Sequence, residues 1–233
     1  MQILLNHLLF INYAVPLNKL RVHVPAEFDL DTRVDHNETE MAFVSAVAFN
    51  VAEIRSNALP IPNVSFNQIN YRAYIRTPDR SGVYFLDLRV GSRMIAASAS
   101  FLRLPVTYES IELTFQPSTV GLQGGSQRYV VESGGEEGLI ARVVISHPDD
   151  TSDQPPLIAS EFITERPLGF LRTVGGGIHR AAVEHEKLEA VRAEAESVRC
   201  RRLETLGVLD SHQSERPHSI FYVSHALFDA KLL

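Results

Sequence analysis

The chain has 233 residues, with 22 lysines and arginines against 28 aspartates and glutamates, a formal charge of −6. A negative chain without a basic stripe argues against a nucleic-acid partner, and no run of about 18–20 apolar residues suits a membrane span. The single cysteine, Cys200, fits a reducing, cytoplasmic setting, and only three of the basic residues are lysines.

Alternation of apolar and polar residues predicts strands through most of the chain. The predicted strands are residues 8–15, 28–33, 41–54, 66–76, 83–90, 111–116, 127–132, 138–145, 170–174, 178–185 and 219–228. Short helices are expected at 17–22, 92–102 and 158–164, and loops or turns at 57–63, 124–125, 134–135 and 147–156.

Residues 186–206 support two interpretations. Alanine, glutamate, arginine and leucine are good helix formers, so propensity alone predicts one long helix. The apolar residues fit strand alternation about as well, and we favour a strand at 188–195 followed by a helix at 199–206.

The predicted strand at 66–76 has one apolar face and one polar face. Asn70, Arg72 and Tyr74 share the polar face. This face is either the solvent side of a half-covered sheet or the wall of a polar cavity. In a cavity, Arg72 would bind an anion through its planar guanidinium, and the other two side chains would fix the orientation of that anion.

Motifs for other chemistries are missing from the sequence. The glycine-rich runs lack the lysine and helix of a phosphate loop, no histidine has a partner at metal-ligand spacing, and no nucleophile elbow is present. We therefore expect no cofactor and no metal. Cys200 is interpreted as a small buried hydrophobe, and His185 as either a structural histidine or part of a site.

Several short motifs occur in an order that resembles one known superfamily. They are Asn70-x-Arg72-x-Tyr74, Gly82–Val83–Tyr84–Phe85–Leu86, Ser92–Arg93, Phe162-x-Thr164–Glu165–Arg166 and Glu184–His185. Together they resemble the YqjF-like branch, of unknown function, of the acetoacetate decarboxylase-like superfamily.

The resemblance implies an α+β, mostly antiparallel β fold, with residues 1–233 as one domain. The expected architecture is a β-barrel or cone that encloses a central cavity and is wrapped by further strands and a few short helices. By analogy, the chain is expected to be a homo-oligomer. One departure concerns the aromatic residues that usually follow the histidine motif, because Glu186, Lys187 and Leu188 stand there instead.

The parent enzymes of this superfamily decarboxylate a β-keto acid through a Schiff base on lysine. In a rough alignment that lysine falls near Ser92, Arg93 or Met94, and no lysine is there. A guanidinium stays protonated and cannot replace the amine, so Schiff-base decarboxylation is not expected.

Three hypotheses follow. The first is a cavity that binds a small, anionic organic molecule, with Arg72 and Arg93 as charge partners. The polar wall is formed by Asn70, Tyr74, Glu165 and His185. In the second, Glu165 and His185 transfer protons on a carbonyl substrate, which makes them the candidate catalytic residues. The third is a structural or oligomerisation protein with a closed, apolar cavity.

Overall fold

The computed structural model describes residues 1–34, 38–56, 64–117, 127–135, 137–145 and 160–233. The predicted loops at 57–63 and 147–156 and the turn at 124–125 lie outside these residues. The described strands are β1 (Gln2–Pro16), β2 (Asp29–Leu30), β3 (Arg33–Val34), β4 (Glu40–Arg55), β5 (Phe66–Arg76), β6 (Ser81–Val90), β7 (Val106–Tyr108), β8 (Ile111–Pro117), β9 (Gln127–Ser133), β10 (Leu139–Ile145), β11 (Leu168–Arg172), β12 (Ile178–Glu184), β13 (Val191–Cys200) and β14 (Ser219–Leu232). The described helices are α1 (Leu17–Arg21), α2 (Arg93–Phe101), α3 (Ser160–Thr164), α4 (Arg201–Thr205) and α5 (Ser211–Ser214).

Seven strands form a ring of hydrogen-bonded neighbours. The order is β1-β4-β5-β6-β11-β12-β14, and β14 pairs again with β1. From β14 a branch leaves the ring in the order β13-β10-β9-β8. The short strands β2, β3 and β7 pair with β5, β4 and β6 respectively.

This arrangement confirms the predicted α+β class with mostly antiparallel strands and few, short helices. The barrel or cone needs refinement, because the sheet is mixed and branched. The pairs β6–β11 and β6–β7 are parallel, and a branch of further strands leaves from β14, so the sheet is not a true barrel. The assignment of residues 1–233 to one domain stays a prediction.

The two faces of the ring strands belong to different apolar clusters. On β5, the predicted core residues Ile69, Tyr71, Ala73 and Ile75 are fully buried in the cluster that also holds apolar residues of β9 and β10. Phe66, on the other face, belongs to a second cluster with residues of β1, β4 and β6. Alternate residues of a ring strand therefore face two different regions. One set packs in the layer between the ring and the branch, and the other set faces the cavity described below.

A β-bulge at His7 keeps the apolar residues of β1 on the cavity side. Asn6 pairs with Asn50 and Leu9 with Ala48, so β1 carries one extra residue here. His7 has a left-handed φ of 57°. Its Nδ1 lies 2.8 Å from the Tyr222 hydroxyl, and burial lowers the pKa of His7.

The bulge has a consequence for the register of β1. Without the extra residue, all side chains on one side of it would move to the opposite face. With it, Ile3 and Leu5 face the cavity together with Leu8 and Phe10.

The predicted strand and helix at 186–206 are both present, with shifted bounds. The strand continues to Cys200 because Val198 and Cys200 pair with Ala141 and Leu139 of β10 and are buried. Burial against a neighbouring strand thus outweighs the helix propensity of this segment. None of the helices that the structure describes combines the length and apolar character needed to cross a membrane.

Candidate functional site

A cavity of about 290 Å³ lies within the ring, and all seven ring strands contribute to its lining. Most lining side chains are aliphatic or aromatic. The small residues Gly169, Ala181 and Ala230 on β11, β12 and β14 leave space opposite the larger ones. The polar lining residues are Gln68, Asn70, Arg72, Thr164, Arg166 and His185.

One of the two lining arginines, Arg166, already has a carboxylate partner. Its Nη1 donates to Oδ2 of Asp31 at 2.6 Å, and the two side chains are only 4% and 5% exposed. Burial alone would raise the pKa of Asp31. The hydrogen bonds from Arg166 and Arg76, with the charges of Arg166 and Arg33, outweigh that effect and lower it. Arg166 therefore already has an anionic partner within the protein, which it shares with the more exposed Arg33 and Arg76.

The other arginine, Arg72, has only neutral partners among the described residues. Its Nη2 donates to the carbonyl of Ile163 at 2.9 Å and to the Tyr74 hydroxyl at 3.3 Å. The guanidinium also lies 5.1 Å from the ring centroid of Phe10. Its Nε is buried, and no described residue accepts a hydrogen bond from it. Arg72 therefore brings a positive charge without a carboxylate partner among the described residues to the cavity wall, and its Nε–H is buried just behind that wall.

A chain of hydrogen bonds fixes the position of Arg72 from behind. Ser45 donates its only hydroxyl hydrogen to Oδ1 of Asn12 at 2.6 Å, so the Tyr74 hydroxyl, 2.7 Å from Ser45, must donate to Ser45. Tyr74 is then left with a lone pair that accepts from Arg72. Asn12 in turn donates to the carbonyl of Ser219. Residues of β1, β4, β5 and β14 thus hold one guanidinium in place.

We expect the substitution Tyr74→Phe to weaken binding of an anion at Arg72 by about tenfold, because Arg72 loses one of its two observed acceptors. The affinity is measured by isothermal titration calorimetry with the best ligand of the panel described below. Tyr71→Phe is the matched control, since Tyr71 lies on the other face of β5 and its hydroxyl has no partner among the described residues. Equal affinity in both variants would contradict the positioning role of Tyr74.

Glu165 and His185 come together beside the cavity. Nδ1 of His185 lies 4.0 Å from Oε2 of Glu165, at the limit for an ion pair and beyond hydrogen-bond distance. The same Nδ1 donates to the carbonyl of Glu186 at 2.7 Å, which leaves Nε2 as the nitrogen that can accept a proton. Oε1 of Glu165 accepts from the backbone N–H of Leu188.

The structure does not bring Arg93 to Arg72. Arg93 follows the N-cap Ser92 of α2 and lies in a separate polar groove, where its guanidinium is 4.5 Å from the ring centroid of Tyr108. The expectation that Arg72 and Arg93 act on one ligand in one pocket is therefore corrected. The local reason is that α2 begins after the end of β6, beyond the part of that strand that lines the cavity.

The three lysines of the chain also lie away from the cavity. Lys19 and Lys231 are exposed, and Lys187 is 74% exposed and paired with Glu161 at 2.9 Å. None of them is among the lining residues. A lysine Schiff base inside this cavity therefore has no residue to form it.

Cys200 is fully buried, and burial raises its pKa to about 12, so its thiolate is not formed near neutral pH. Across the described residues, no three histidine, cysteine, aspartate or glutamate side chains come together as a metal site would require.

The other sequence-predicted residues fall at or behind the cavity. Asn70 lines it and accepts a hydrogen bond from Gln68 at 2.6 Å. Tyr74 shares the face of Asn70 and Arg72 but is fully buried and lies behind Arg72. Sequence reasoning missed Asp31 and Ser45. An acidic residue in a predicted strand and a serine in an apolar one were the only available signals.

A family model that describes uncharacterized conserved proteins, DUF2071, matches residues 3–226. The chain belongs to the DUF2071 family. This DUF2071 protein is also 30% identical, over 110 residues, to the uncharacterized protein YqjF of Bacillus subtilis (strain 168). That match covers 46% of the chain and 43% of YqjF, so it spans less than half of the relative.

Solved structures of acetoacetate decarboxylase-like enzymes share the fold of this DUF2071 protein. The acetoacetate decarboxylase of Legionella pneumophila has a TM-score of 0.57 at 11% identity, with 100% of this chain and 86% of that chain covered. An acetoacetate decarboxylase-like enzyme from Sphingomonas wittichii RW1 has a TM-score of 0.56 at 13% identity, with 100% and 92% covered.

A third structure is the enduracididine biosynthesis enzyme MppR, complexed with the condensation product of pyruvate and imidazole 4-carboxaldehyde. It has a TM-score of 0.58 at 14% identity, with 99% of this chain and 88% of that chain covered. At these identities the likeness shows the fold alone.

Proposed function

We propose that this DUF2071 protein binds a small organic anion, most simply a carboxylate, in the ring cavity at Arg72. The observation that carries the proposal is the unneutralised guanidinium of Arg72, with its buried Nε lacking a partner among the described residues. A carboxylate would supply both the missing charge and a hydrogen-bond acceptor for a planar donor group.

The electrostatics of the cavity support an anion over a cation or a neutral molecule. Its described lining contains no aspartate or glutamate, and the nearby carboxylates of Asp31 and Glu165 lie behind or beside that lining, next to Arg166 and His185. Phe10 and the Ile163 carbonyl offer Arg72 only partial negative charge. Leaving a cation in a largely apolar site costs free energy, and an anionic ligand would recover part of that cost.

The fold itself is compatible with such a ligand. One of the structures that share it is MppR complexed with pyruvate, a small carboxylate, with a TM-score of 0.55 at 13% identity. The ligand of that protein suggests where a search for ligands of this one should begin.

The test is calorimetric titration of a panel of carboxylates and keto acids, from acetate and pyruvate to octanoate, into the wild-type protein and Arg72→Met. We expect at least one acid to bind, and Arg72→Met to bind it about a hundredfold more weakly or not at all, because a buried charge partner is lost. Arg142→Met, which removes an exposed arginine on β10, should bind as the wild type does.

Two further readouts make this test decisive. A structural role for Arg72 predicts that Arg72→Met unfolds more easily, whereas a ligand-binding role predicts equal or higher stability of the ligand-free protein. Loss of binding in Arg93→Met but not in Arg72→Met would move the site to the groove at Arg93. Absence of binding by every acid at millimolar concentration would contradict the proposal.

A second candidate function, proton transfer on a bound keto acid, is favoured by the proximity of Glu165 and His185. Nε2 of His185 would act as the base, and Arg72 would hold the carboxylate of the substrate. The titration samples distinguish the two candidates when they are kept and examined by NMR. A keto acid that changes over hours favours an enzyme, and unchanged ligands favour a binding protein.

The third hypothesis, a structural protein with a closed, apolar cavity, predicts a fully exposed Arg72. Arg72 is only partly exposed and lines the cavity, so that expectation is not met.

A further inference from the structure

The polarity of the cavity wall changes along the ring strands. At one end, Ser45 of β4 pairs in register with Arg72 of β5 and with Asn12 of β1. At the other end, Val51 of β4 pairs with Phe66 of β5 and with Leu5 of β1. Cross-strand neighbours are therefore polar at the Arg72 end and apolar at the Phe66 end.

The apolar end extends further along β1 and β4. Ile3 and Ile54 also pair with each other and line the cavity, because a register shift in β4 after Val51 keeps Ile54 on that side. Arg72 lies six positions after Phe66, which corresponds to about 20 Å along a strand. Of the two arginines in the described lining, the one without a carboxylate partner, Arg72, thus lies at one end of an elongated space whose far end is apolar.

The two polar residues between the ends, Gln68 and Asn70, are hydrogen-bonded to each other. Gln68 donates to Asn70 at 2.6 Å, so the two amides on the middle of β5 bind each other. Facing them across the strand pairs are Phe49 and Val47 of β4, and both are buried. Beside these two amides, a ligand passing along this part of the wall would meet the apolar side chains of Val47 and Phe49.

The volume of the cavity limits the size of the ligand. A dry cavity of about 150 Å³ holds benzene, which has six heavy atoms. By that measure the 290 Å³ found here would hold about twelve heavy atoms. Acetate and pyruvate would leave most of the apolar end empty.

We infer that the ligand is an amphiphilic monocarboxylate, with its carboxylate at Arg72 and an unbranched or slightly branched apolar body of about nine carbons toward Phe66. This inference rests on the proposed function, since Arg72 must bind the carboxylate. It adds the class of acid, a medium-chain one, which the charge of Arg72 alone does not specify.

The test is a calorimetric series of straight-chain acids, from butanoate through hexanoate, octanoate and decanoate to dodecanoate, below their micelle-forming concentrations. Each added methylene should strengthen binding about fourfold until the cavity is full, at about ten carbons. Dodecanoate should then bind no better than decanoate. Octanol, with no charge, should bind far more weakly than octanoate.

Two variants at the apolar end sharpen the series. Val51→Phe fills part of this end and should weaken decanoate binding at least tenfold while leaving butanoate binding unchanged. Phe66→Leu enlarges the same end and should move the best chain length upward. If Val51→Phe does not fold, the shift in Phe66→Leu tests the same geometry.

The outcomes separate this inference from the proposal on which it rests. If affinity is independent of chain length but is lost in Arg72→Met, the anion site stands and the medium-chain inference is overturned. If affinity rises with chain length and Arg72→Met has no effect, or octanol binds as tightly as octanoate, the carboxylate site fails and both are overturned. A steep rise that depends on Arg72 and responds to Val51→Phe supports both.

Discussion

Replacement of Asp31 by asparagine should lower the free energy of unfolding by about 3–5 kcal/mol at neutral pH, because it leaves the buried Arg166 cation without an anion. Arg33 and Arg76, which also contact Asp31, are about half exposed and can be solvated when the carboxylate is lost. Arg166 is 4% exposed and cannot. Urea unfolding of the wild type and Asp31→Asn measures the difference.

The double variant Asp31→Asn/Arg166→Met provides the control for this mechanism. Removal of both charges should cost no more than Asp31→Asn alone, since the second substitution eliminates the unpaired cation. A loss below about 1 kcal/mol in the single variant, or a strictly additive loss in the double one, would show that the pair contributes little.

The same pair predicts how the effect depends on pH. The folded protein lowers the pKa of Asp31 below its ordinary value of 3.8, so the contribution of the carboxylate is complete above that pH. It is lost as the pH falls through the lower, folded value. The stability difference between wild type and Asp31→Asn should therefore be constant from neutral pH to mild acid and should shrink below about pH 4.

The substitution His7→Val should lower the free energy of unfolding by about 3 kcal/mol. A β-branched residue at a φ of 57° brings steric strain of about 1–2 kcal/mol or more, and loss of the imidazole leaves the Tyr222 hydroxyl without its observed partner, at about 1–3 kcal/mol. Thermal and urea unfolding measure the change.

Two matched variants isolate the backbone effect at the bulge. His7→Asn should lose less stability than His7→Val, because asparagine tolerates a left-handed φ and can still form a hydrogen bond. His225→Val, on the exposed side of the neighbouring strand β14, should change stability by no more than about 0.5 kcal/mol. Equal losses in His7→Val and His7→Asn would attribute the effect to the imidazole alone.

The strands and their faces were largely predictable from the sequence, because alternation reports directly on burial. On β5 it separated Ile69 and Tyr71 from Asn70 and Arg72 correctly. It could not show that Tyr74, on the same face as Arg72, lies behind that arginine. That depends on Ser45 and thus on the register between strands, which the pattern of one strand does not contain.

The site residues that sequence reasoning missed or misassigned share the same physical reason. Arg93 aligns near the absent lysine, yet the start of α2 after β6 directs it into another groove. Asp31 and Arg166 are 135 residues apart, and only the folded chain brings them to 2.6 Å. Contacts between distant segments are set by tertiary packing, whereas local propensity and alternation describe each segment alone.

The closure of the ring by β1 and β14 bears on how this protein acquires its structure during synthesis. Gln2 pairs with Asp229 and Asn12 with Ser219. One edge of β1 can therefore form its hydrogen bonds only after β14 has left the ribosome. Such a distant pairing slows folding and leaves apolar strand faces uncovered in the growing chain. Because the ring that encloses the cavity is closed only by this final pairing, any molecule bound there could stabilise the finished fold but not the earlier folding steps.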